Sequence, residues 1–90
     1  MPPKRRSEPL SEDRAALAQA IELLIAQDAR MTQETVAEDS GMNIKQVNEF
    51  VRGQGNPTYT TLLKLSRGLH VSPGELMSLV DELREGGSQR

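Results

Sequence analysis

Lys45, Asn48, Glu49 and Arg52 follow one another at intervals of three, one and three residues, so a helix through them turns all four to one side. Together they offer an ammonium, a guanidinium, a carboxylate acceptor and a carboxamide that both donates and accepts. This is equipment for hydrogen bonding to a patterned polar surface, not for making or breaking bonds. The chain has no serine, histidine and aspartate at catalytic spacing, no phosphate-cradling glycine loop and no carboxylate pair in a recognisable pocket, so no enzyme activity and no cofactor are expected. Its one histidine, His70, falls where a helix should end and reads as a turn residue rather than a ligand or base, so no metal site is expected either.

Ninety residues, 36% hydrophobic and 27% charged, suffice for one hydrophobic core. Tyr59 and Phe50 are the only aromatics, so that core must be made of Leu, Ile, Val, Met and Ala, which favours packed helices over a sheet. Without cysteine there are no disulfides or thiolate metal ligands. No apolar run reaches membrane-spanning length and MPPKRR is not followed by a signal-like apolar stretch, so the expected location is the cytoplasm, with no membrane partner. The formal charge of -2 runs against the basic surface usual in nucleic-acid binders. Residues 71–90 account for the excess, with Glu75, Asp81, Glu82 and Glu85 against Arg84 and Arg90.

Residues 1–9 combine three prolines with Lys4, Arg5 and Arg6 and lack apolar periodicity, which describes a flexible basic arm. A domain over residues 10–85 and a disordered tail over 86–90 complete the expected organisation. Ser11 is the expected cap of a first helix over residues 12–29, with Leu17, Ile21, Leu24 and Ile25 as its apolar stripe. Thr32 caps a second helix that buries Val36 and Ala37 and ends at Gly41, where positive φ is needed. Asn43, with Gln46 in capping-box position, starts a third helix that buries Val47, Phe50 and Val51. GQGNP, residues 53–57, is a loop, and Thr58 caps a fourth helix with Leu62, Leu63 and Leu65 that stops near Gly68 or His70. Ser72, Pro73 and Glu75 mark the start of a fifth.

Two short helices joined across Gly41 and Met42, with small Ala37 at the crossing and Val47 anchoring the second, make a helix-turn-helix. With MTQETVAEDSGM, the 53–57 loop and TLLKLSRGLHVSPGELM in place, the chain resembles the lambda-repressor-like, XRE-type helix-turn-helix family of phage repressors and Cro proteins. The likeness covers residues 17–83. It implies an all-α, five-helix DNA-binding domain and a sequence-specific transcriptional regulator of double-stranded DNA, with the third helix in the major groove.

By motif position the resemblance implies base contacts from Ile44, Lys45, Asn48 and Glu49: Lys45 to guanine O6 and N7, Ile44 to a thymine methyl, Glu49 to cytosine N4. Gln33, Asn43, Arg52, Asn56, Thr58 and Thr60 are the expected phosphate contacts, and Lys4, Arg5 and Arg6 would follow the duplex as an arm. The family's arginine and glutamate pair between the first and third helices is replaced by Ala26 and Val51.

Other readings of the same residues stand beside these. Lys45 and Glu49 are also spaced as a solvated i,i+4 pair, and Ile44 is near enough to the apolar side to be partly buried. Leu76, Leu79, Val80 and Leu83 form a stripe that either closes the core or makes a two-fold homodimer through the fifth helix. Such a dimer would set two recognition helices ~34 Å apart on a near-palindromic site. The acidic balance and the missing charge pair motivate a second function class, a protein-interaction module of the same fold, antitoxin-like or binding another regulator, with Ile44 and the helix-five stripe against a protein partner.

Overall fold

The computed structural model describes residues 7–88, with side chains described over 12–84. Its helices are α1 (Ser7–Ala26), α2 (Gln33–Ser40), α3 (Ile44–Val51), α4 (Tyr59–Gly68) and α5 (Pro73–Ser88), with no strand among the described residues. Thr32, Asn43 and Thr58 cap α2, α3 and α4 through their side-chain oxygens, which accept from the N–H groups of Thr35, Gln46 and Thr61. These bonds satisfy donors that the first turn of a helix otherwise leaves open. Glu75 and Ser72 form both halves of a capping box at α5, 2.9 and 3.1 Å long. At α3 only the Asn43 half forms (2.9 Å), and Gln46 stays exposed. The reciprocal box belongs instead to Thr32 and Thr35 at α2.

Both ends of α1 differ from the sequence-based expectation. The helix begins at Ser7, so Ser11 lies inside it rather than capping it. Pro9 is accommodated because it falls in the first turn, where a missing N–H removes no helical bond. The helix stops at Ala26, short of residue 29, where Asp28 accepts from the Arg30 N–H at 3.0 Å and closes a turn of its own. At the other end of the chain α5 continues past Gly86 to Ser88. Lys4, Arg5 and Arg6 lie outside the described residues.

The core is formed where α1 packs on α5 and α3, and α2 packs on α4 and α3. Ile21, Val36, Val47 and Leu65 are fully enclosed, with Leu17, Phe50, Leu69, Leu76 and Val80 around them. Leu76 and Val80 therefore belong to the core, and Leu79 and Leu83 are half-buried against it. Two members of the helix-five stripe are thus enclosed by the protein's own core, while Leu79 and Leu83 keep part of their surface. Ala26 is exposed and Val51 half-buried against the core, so the lost charge pair is replaced by apolar burial on the α3 side only.

Gly68 does not end α4 by adopting positive φ. The left-handed residue is His70 (φ 62), and the N–H groups of His70 and Val71 close the helix onto the carbonyls of Arg67 and Ser66. The space at Gly68 is what matters: a Cβ there would lie 2.6 Å from the Val36 carbonyl oxygen and 2.9 Å from Ser40 Cβ. This glycine lets α4 pass directly over α2.

Candidate nucleic-acid interface

The turn between α2 and α3 is made by Gly41 at φ 78 and ψ 18. Its N–H reaches the Glu38 carbonyl at 3.3 Å and the Met42 N–H reaches that of Ala37 at 3.0 Å, a closed Schellman turn. Ser40 Oγ donates to the Ala37 carbonyl at 3.1 Å and accepts from the Met42 N–H at 3.3 Å, which satisfies a buried hydroxyl. Ala37 and Met42 are both buried, so the chain is pulled inward at the turn. With Asn43 then capping α3, the direction of that helix is determined within three residues.

α3 is strongly two-sided. Val47 and Phe50 face the core, while Ile44, Lys45 and Arg52 are exposed and Asn48 and Glu49 are half-exposed. Ile44 is 40% exposed, so it belongs to the outer face and not to the core. Lys45 and Glu49 form no ion pair within 4.0 Å, and neither Lys45 nor Arg52 has a charged partner among the described residues. The polar ends of α3 are thus exposed and without a charged partner among the described residues.

Beyond α3 the loop is tied back to it, since the Gln54 N–H donates to the Glu49 carbonyl at 2.8 Å and that of Gly53 to Phe50 at 3.1 Å. Asn56, Thr58 and Thr60, all exposed, follow this turn in the chain. Gln33 is half-buried in the first turn of α2, and Asn43, exposed, keeps its amide nitrogen free while its oxygen caps α3. Thr58 is less free: its hydroxyl accepts from the Thr61 N–H at 3.1 Å and lies 3.0 Å from Thr61 Oγ1.

Tyr59 was not among the site residues expected from sequence and is the most exposed large hydrophobic side chain described, at 74%. It stands between Thr58 and Thr60 at the start of α4, with a flat ring and a hydroxyl donor presented to solvent. Its position directly after a capping threonine was the available signal, because the first residues of a helix are seldom enclosed. Lys64 and Arg67 continue the exposed side of α4, so residues 43–71 carry four cations, Lys45, Arg52, Lys64 and Arg67, against Glu49 alone. The acidic residues are concentrated on α1, α2 and α5, so the net charge conceals a basic α3–α4 segment.

His70 has a partner that sequence reading did not supply. Its Nε2 lies 2.9 Å from Asp39 Oδ2, joining the end of α4 to the end of α2. Both side chains are well exposed, so the bond contributes little to stability. No group of three or more histidine, cysteine or acidic residues able to hold a metal ion occurs among the described residues. No described helix is long and apolar enough to cross a membrane.

A family model described as helix-turn-helix matches residues 25–76. The chain is similar to the "Uncharacterized HTH-type transcriptional regulator y4dJ" of Sinorhizobium fredii, with 40% identity over 52 residues, 58% of this chain and 68% of that protein. No solved structure matches the chain.

Proposed function

Because this chain belongs to the XRE-type helix-turn-helix family of DNA-binding regulators, we propose that it reads double-stranded DNA sequence-specifically with α3 in the major groove. The observation that carries this reading is the exposed outer face of α3, which follows the Gly41 turn and forms no ion pair among the described residues. Ile44, Lys45, Asn48 and Glu49 supply a methyl contact, a cationic donor, an amide and an acceptor for base edges. Gln33, Asn43, Arg52, Asn56 and Thr60 surround them as phosphate contacts, with Thr58 contributing only as far as its capping bond allows. Tyr59 adds a hydroxyl and a ring edge to the same rim. Lys4, Arg5 and Arg6 extend the cationic surface along the duplex.

Lys45 and Arg52 separate base reading from backbone holding. Against a duplex selected from a random pool, Lys45→Ala is expected to lose ~1–3 kcal/mol and to relax preference at one base position. Its reading role is refuted if cognate and random duplexes weaken equally in fluorescence anisotropy. Arg52→Ala is expected to weaken all duplexes alike and to reduce the slope of log K against log salt by about 1. An unchanged slope would remove Arg52 from the phosphate contacts. Undetectable duplex binding at low salt by the unmodified chain would leave the protein-interaction reading in place.

A further inference from the structure

A cleft of about 600 Å³ opens where the first half of α1, the 52–58 loop, α4 and α5 meet. Its floor is apolar: Leu17 and Val80 are core residues, Leu62 is half-buried, and Met77 is 44% exposed at the edge. Arg14 stands in the wall with its Nε shut off from solvent and without a hydrogen-bond partner. Enclosed guanidinium donors are ordinarily paired, and this one has no acceptor among the described residues; the rest of the guanidinium lines the cleft and carries its charge there. The other charged lining residues are already engaged with one another. Arg84 bonds Asp81 at 3.0 Å and approaches Asp13 at 3.4 Å. Arg14 is the lining cation to which no acid is assigned among the described residues.

We propose that this cleft binds a small amphipathic monocarboxylate, its hydrocarbon part on Leu17, Leu62, Met77 and Val80 and its carboxylate on Arg14, with the Asn56 amide as a second donor. The volume falls in the range of small-ligand sites, ~300–1,000 Å³, and an apolar floor with one or two converging donors is their usual construction. A neutral apolar molecule would leave Arg14 unpaired. A cation would oppose it, and a dianion would meet the carboxylates of Asp13 and Asp81. A single negative charge on an apolar body satisfies the floor and the wall together.

Asn56 and Pro57 line the cleft and also belong to the loop set against phosphates, so occupancy alters DNA affinity. By linkage DNA alters ligand affinity by the same factor. This coupling rests on the DNA-binding reading; the ligand site itself does not.

The full chain titrated with sodium octanoate, octanol and octylammonium, followed by NMR, tests the site. Octanoate is expected to give saturable shifts at the Arg14 guanidinium, the Asn56 side-chain amide and the Leu17, Leu62, Met77 and Val80 methyls. Octanol and octylammonium are expected to bind at least about ten-fold more weakly, the equivalent of one charge-assisted hydrogen bond. Arg14→Gln is expected to remove that preference. Met77→Glu, at an exposed position that leaves the fold intact, places a negative charge at the edge and is expected to weaken octanoate as well. Unsaturable shifts, equal affinities for octanoate and octanol, or octanoate affinity unchanged in both variants would overturn the site. Duplex affinity measured with and without octanoate is a separate arm: no duplex binding in either case defeats the DNA reading and leaves the ligand site standing. Unaltered duplex affinity at saturating octanoate defeats the coupling.

Discussion

Replacing Gly68 with alanine will destabilise the domain by ~1–3 kcal/mol, the usual range for forcing volume into a packed contact. The sign is the informative part. In an exposed helix interior the same change would stabilise by about 1 kcal/mol, because alanine is the better helix former. Here the added carbon would sit 2.6 Å from the Val36 carbonyl oxygen and 2.9 Å from Ser40 Cβ. A backbone oxygen cannot rotate away as a side chain can, so α2 has to move. Ser40 is the last residue of α2 and its hydroxyl bridges the Gly41 turn, so that movement reaches the motif directly. Urea denaturation measures the effect, and a midpoint that rises would show that α4 does not cross α2 at this closeness. Gly41→Ala is the contrasting case: nothing lies within 4 Å of an added Cβ there, so only the left-handed backbone penalty applies, about 1–2 kcal/mol.

Phe50→Ala is expected to be more damaging still, ~3–5 kcal/mol by loss of a large buried ring and the cavity left behind. Domains of this kind have ~5–15 kcal/mol in total, so the variant should be marginal at 37 °C. Each kcal/mol corresponds to about 4–8 °C in melting temperature at this size. Phe50 is 7% exposed and stands on the inner side of the helix whose outer side bears Lys45 and Arg52. The same substitution therefore undocks the surface proposed to enter the groove. Hydrogen exchange should show protection falling first in α3 and the 52–58 loop, whose Gly53 and Gln54 N–H groups donate to the Phe50 and Glu49 carbonyls of that helix. Melting within a few degrees of the parent would mean that Val47 and Met42 alone hold α3, and the packing argument would fail.

The helix-turn-helix was legible because its determinants lie close together in sequence. Thr32, Asn43, Thr58 and Ser72 act on backbone groups three residues away, and Gly41 satisfies carbonyls of the preceding turn. The alternation of Val47 and Phe50 with Lys45, Asn48 and Arg52 likewise needs only the helical period. The start of α1 was misplaced because Ser11, Glu12 and Asp13 make a plausible first turn locally, and the preceding Ser7 and Pro9 make one too. The stripe on α5 allowed either a core or an interface, since apolar periodicity shows which side is buried and never against what.

Caps, turns and two-sided helices were thus determined by the order of residues, because each depends on neighbours within about one helical turn. Packing partners were decided only by the fold. Gly68 meets Val36 and Ser40, His70 meets Asp39 across 31 residues, and Arg14 comes to rest beside a cleft built from α4, α5 and the 52–58 loop. Those relations depend on how four helices settle against one core, a collective outcome of volume and shape. A single position in the chain carries no record of its distant neighbour.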